Sequence, residues 1–158
     1  MDSDIELSLE RAQNEILLAR AVRLLTEDAK LKREVFKLDE KITFYSGVIE
    51  HAYYAIFYAA RAYVVSKGVN LPEQGVHNAV YLAFRKFVRQ GKINEEMLAL
   101  YDEVKIKAET LLEIFESEGE NRTKFTYKTL AQANKKPADD SIENATTFVL
   151  EIKGLLGT

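Results

Sequence analysis

The sequence predicts an all-α fold, a four-helix up-and-down bundle with one or two short extra helices. Three observations carry that expectation. Glycine and proline are scarce in 158 residues, seven and two, whereas Ala, Leu, Glu and Lys, all good helix formers, are frequent. Apolar residues recur at spacings of three and four over long stretches. No segment shows strand-like alternation, and no internal repeat is visible. The length suits a single domain, 1–158, and a hydrophobic share of 47% is enough for a real core.

The chain is organised around residues 43–68. From Ala52 to Val65 fourteen residues carry one charge, Arg61, which predicts a helix buried against several neighbours. It is too short to span a bilayer, which needs roughly 20 apolar residues. Val48, Ala52, Ala55, Ala59 and Ala62 form a small row for close helix approach. Ile49, Tyr53, Ile56, Ala60 and Tyr63 form a bulky one. The third row, Gly47, His51, Tyr54, Tyr58 and Arg61, places an imidazole, two phenols and a guanidinium along one side. Gly68 is placed to cap the helix C-terminus.

Around this helix the others follow in order. Ser3 and Glu6 have capping-box spacing. Ile5, Leu9, Ala12, Ile16 and Ala19 then mark an amphipathic helix ending near Thr26. Residues 27–42 carry ten charges in sixteen positions, and the spacing of Leu31, Val35, Leu38 and Ile42 predicts a short surface helix. Pro72 is expected at the first position of the next helix, which runs to about Gln90 with His77, Tyr81, Phe84 and Val88 on one row. Its exposed end carries Arg85, Lys86, Arg89 and Lys92, a basic cluster that complements the helix dipole. Asn94 is expected as an N-cap. Met97, Tyr101, Val104, Ala108, Leu111 and Phe115 form the clearest stripe, and its spacing extends to Arg122. After a polar connector, Asp140 and Glu143 have capping-box spacing for a last helix, Ser141–Leu155, that buries Ile142, Ala145, Phe148, Val149 and Ile152.

Composition narrows the function classes. The net charge of −3 gives no global attraction to nucleic acid or membranes. With no Cys, thiolate chemistry and disulfides are excluded, and two His alone make a dedicated zinc site unexpected. The acidic N-terminus has no signal-like apolar stretch, so a soluble, cytoplasmic protein is the expectation. There is no Gly-rich phosphate loop, HExxH, GxSxG or Asp-rich metal loop, and neither metal nor cofactor is expected. What remains are His51, Tyr54, Tyr58, Arg61, His77, Arg122 and Tyr127. Each has a plain structural reading: a hydrogen-bonded core His, packing Tyr residues, an Arg paired with a carboxylate. A buried Arg61 in particular must find a partner, within the chain or across a dimer, because an unpaired buried charge is costly.

The run HAYYAIFYAARAYVVSKG, residues 51–68, resembles the central-helix signature of the HEPN domains, in particular the small uncharacterised prokaryotic ones. Gln74-Gly75-Val76-His77 matches the element opening the next helix, AFRKFVRQGKI the Phe-rich helix ending in Gly, and Arg122-Thr-Lys-Phe-Thr-Tyr127 an Arg-x4-Tyr element. The resemblance covers about residues 5–26 and 43–155, with the charged segment 27–42 as an insertion. It implies a helical bundle that often forms a homodimer, commonly as the toxin or antitoxin partner of a minimal nucleotidyltransferase. Other members are metal-independent endoribonucleases that use an Arg and a His on the scissile phosphate and the ribose 2′-hydroxyl. Here the position of that His is Tyr127, and a phenol with an ordinary pKa near 10 is a poor base at neutral pH. Arg122 retains the means to bind phosphate.

The expectation is therefore a non-catalytic protein that binds a nucleotide, an RNA phosphate or a nucleotidyltransferase partner. Arg122, Tyr127, Lys124, His51, Tyr54, Tyr58, Arg61 and His77 are its candidate ligand residues. Two alternatives remain open: an endoribonuclease toxin using Arg122 and Tyr127 with His51, and a purely structural homodimer.

Overall fold

A computed structural model of the chain describes residues 2–117 and 135–158. These contain five α-helices: α1 (Ser3–Glu27), α2 (Tyr45–Ser66), α3 (Val76–Arg89), α4 (Glu95–Ser117) and α5 (Lys135–Leu156). α1, α2, α4 and α5 make the up-and-down bundle. Arg61 meets Asp4 at one end of the α1–α2 pair, and the Phe44 amide meets Thr26 at the other, so those helices are antiparallel. Arg20 with Thr146 and Arg23 with Asp139 fix α5 antiparallel to α1. α3 is the addition. The connection from α2 returns before α3 starts, so His77 stacks on Phe57 and Phe87 lies against Tyr63, which makes α3 parallel to α2.

α2 touches all four other helices. Its small row, Val48, Ala52, Ala55, Ala59 and Ala62, is completely buried. In the bulky row Ile49, Ile56, Ala60 and Tyr63 are buried and Tyr53 is partly exposed. The core continues through Phe84, Tyr101, Val104 and Phe148, whose rings meet edge-on or tilted at 5.3–5.7 Å. Gly68 takes the left-handed conformation that closes α2, with its amide donating to the Val65 carbonyl at 2.9 Å.

The helix ends depart from the sequence expectation in four places. The cap of α1 is Asp2, one residue before Ser3, and it accepts from the Asp4 amide at 3.1 Å. Pro72 lies in the connection, and α3 begins four residues later behind Gly75, whose left-handed backbone (φ 67°) turns the chain. Asp140 caps nothing: α5 starts at Lys135, and Asp140 sits inside it, paired with Lys136 at 2.9 Å. Pro137 is accommodated because the first-turn amides have no intrahelical acceptor to lose. Finally, residues 27–42 hold one five-residue π-helical turn, Leu31–Val35, closed by the Phe36 amide on the Leu31 carbonyl. Asp28 caps that turn by accepting from the Leu31 amide, and Lys37, with φ 55°, ends it.

This charged segment is also less solvated than its composition suggests. Lys32 is 3% exposed. Its ammonium donates to the carbonyls of Glu40 and Ile42, whereas Val35 and Phe36 are exposed.

Candidate functional site

The polar row of α2 splits in two. Most of it faces α1, where Asp4, Ser8, Arg11 and Glu15 recur at spacings of four, three and four. Arg61 forks onto both carboxylate oxygens of Asp4, at 3.1 and 3.0 Å, and also donates to the Ser8 hydroxyl. Arg11 donates to the Tyr58 hydroxyl at 3.2 Å and lies over its ring. His51 Nδ1 donates to Glu15 at 2.6 Å, with about a quarter of each side chain exposed. Arg61 thus finds its partner inside the chain. His51, Tyr58 and Arg61 form a ladder along the α1–α2 seam.

Tyr54 belongs to a different place. Near the N-terminal end of α2 a cleft of about 740 Å³ opens between α1, α2, α3 and α4. Its aromatic and polar wall is Glu50, Tyr53, Tyr54, His77 and Glu109, and the remainder is mostly apolar, with Val22, Leu25, Phe44 and Leu111. Gly47 lines it too, although a Cβ there would meet only Val22 Cγ1 at 3.6 Å, an ordinary contact.

His77 is the centre of this wall. Phe57 stacks on its ring at 3.8 Å and 11°, Tyr53 lies nearly parallel at 5.7 Å, and Tyr54 meets it edge-on at 5.7 Å. Its Nδ1 is 3.0 Å from the Tyr53 hydroxyl. Burial pushes the His77 pKa below the ordinary imidazole value. Burial, and after it the charge of Glu109, pushes the Tyr53 phenol up to about 12. Burial also raises Tyr54, with Glu50 the next cause. With the phenol protonated and the imidazole neutral, the consistent arrangement has Tyr53 donating to Nδ1, which leaves the ring proton on Nε2. The cleft therefore presents fixed aromatic faces, a neutral imidazole and two carboxylates. Among the described residues no cluster of three or more His, Asp or Glu is placed to hold a metal ion.

Of the residues the sequence singles out, the structure brings together Tyr54 and His77 in the cleft and His51, Tyr58 and Arg61 on the seam. Arg122, Lys124 and Tyr127 lie outside the described residues. α4 passes the cleft at Ala108, Glu109 and Leu111 and runs to Ser117, roughly 9 Å further along its axis. α5 begins at Lys135, bonded to Glu27 at the end of α1. The described chain therefore stops and resumes at the cleft end of the bundle. Tyr53, Glu50 and Glu109 were not singled out by sequence. Tyr53 reads as core because it shares the row of Ile49 and Ile56, and only its pairing with His77 across two helices marks it.

The family model described as the HEPN domain matches residues 22–155. The chain belongs to the HEPN-domain family. The match runs through the charged segment and takes in α2, α3, the cleft wall and the Arg122–Tyr127 element. A UPF0332 protein of Thermotoga maritima is 31% identical over 138 residues, covering 87% of this chain and 86% of the relative. No solved structure matches the chain. No described helix of this HEPN protein is long and apolar enough to cross a membrane.

Proposed function

We propose that this HEPN protein binds a nucleotide or an RNA end without cleaving it, holding the base side in the cleft of Tyr53, Tyr54 and His77. Arg122 and Lys124 take the phosphate in this reading, with Tyr127 beside them. The observation that carries it is the cleft. Its volume suits a small ligand, it is built from stacked rings around a hydrogen-bonded imidazole, and it lies where the chain leaves toward Arg122. His51, Tyr58 and Arg61 serve this reading indirectly, by fixing α2 against α1. The proposal includes a cytoplasmic, toxin–antitoxin-like role, with association as a homodimer or with a nucleotidyltransferase partner. Exposed Leu17, Leu24, Val35 and Phe36 support association.

The test is a titration of nucleoside monophosphates against the full chain, followed by thermal unfolding. A ligand present at 100 times its Kd stabilises the fold by about 2.7 kcal/mol. Arg122→Ala is expected to weaken the monophosphate while leaving the nucleoside unaffected. Metal-free cleavage of RNA, abolished by Arg122→Ala, would overturn the non-catalytic reading. It would favour the ribonuclease alternative with His77, the imidazole that faces the cleft, as the base.

A further inference from the structure

The polarity of the cleft wall goes further than its shape. Its lining has two carboxylates and, among the described residues, no Lys or Arg. Glu109 is paired with Lys105 at 2.7 Å. Glu50 is exposed, lies one turn before Tyr54 on α2, and has no ion-pair partner among the described residues. A wall of this charge repels a phosphate, so a nucleotide enters it base first and keeps its anion at the mouth. An ionised carboxylate is an acceptor only. The edge of the base that meets Glu50 must therefore carry N–H donors, while the ring faces lie against Tyr54 and the Tyr53–His77 pair. A carbonyl at the same edge sets two acceptors against each other.

Resting on the nucleotide reading above, we infer that the cleft selects a base bearing an exocyclic amine and that Glu50 reads that amine. Adenine and cytosine carry one on the recognition edge, whereas hypoxanthine and uracil carry a carbonyl there. Glu50 is a specificity residue in this scheme, and the aromatic wall supplies the sequence-tolerant part of the affinity.

Adenosine and inosine isolate the point, because they share sugar and ring size and differ at the exocyclic position. Calorimetric titration of the full chain should give adenosine a Kd lower than that of inosine by about tenfold or more. Glu50→Gln, at an exposed position where folding is not at risk, should close most of that gap, because an amide offers both a donor and an acceptor. Equal binding of adenosine and inosine to the unaltered protein overturns the amine readout and leaves the nucleotide reading standing. Displacement of adenosine by tetramethylammonium at the same concentration also overturns it, because the cleft is then a trap for any cation. If neither nucleoside nor adenosine monophosphate binds, both readings fall.

Discussion

Tyr101 is completely buried among Tyr81, Phe84 and Phe148, and its hydroxyl has no hydrogen-bond partner among the described residues. Burial drives its pKa well above the ordinary phenol value, so it stays neutral. An unsatisfied buried hydroxyl costs more than the hydrogen bond it lacks would return. Tyr101→Phe should therefore leave stability unchanged or raise it by up to about 1 kcal/mol, measured by denaturant unfolding. A clear loss would reveal a partner for the hydroxyl. His77 gives a prediction of the opposite kind. Because its pKa is lower in the folded chain than the ordinary 6.5, the unfolded chain holds the proton more tightly. Stability falls as pH drops through the unfolded value and levels off below the folded one. His77→Phe preserves the stack on Phe57 and removes this component. Its melting temperature should fall less than that of the unaltered protein between pH 7 and 5, and identical slopes would contradict the assignment.

At the scale of elements, periodicity located the buried faces well and the ends of helices poorly. The rows of α2 were legible because fourteen residues carry one charge, a pattern that packing on several sides satisfies. The start of α5 was not. Asp140 and Glu143 have the spacing of a capping box, but Lys136 four residues before Asp140 supplies an ion pair that is equally at home inside a helix. Residues 27–42 misled for another reason. The apolar spacing there is real, yet Asp28 and Lys37 break the segment from within, and burial of Lys32 organises what remains. Lys32→Met removes two donors to the Glu40 and Ile42 carbonyls but also removes the desolvation of a buried ammonium. Global stability should change by no more than about 1 kcal/mol, while amide exchange accelerates across 38–42. Unchanged exchange there would show that the ammonium is not what holds the segment.

For the whole molecule, the bundle separates two sets of residues that the sequence puts on one row. A single turn of α2 divides them: His51 bonds to Glu15 on the seam, and Tyr54 faces His77 in the cleft. Sequence supplied the row, but the direction of each side chain depends on α3 packing parallel to α2, which follows from the length of the 67–75 connection and has no periodic signature. The pairing of Tyr53 with His77 was hidden for the same reason. The two histidines now provide internal probe and control, since the chain has only two. The most direct measurement of the central claim follows their imidazole proton resonances by NMR as adenosine monophosphate is added. The account predicts a saturable shift of the His77 signals, assigned by His77→Phe, with the His51 signals stationary. Movement of His51 alone, or saturation of binding with His77 unmoved, would contradict it.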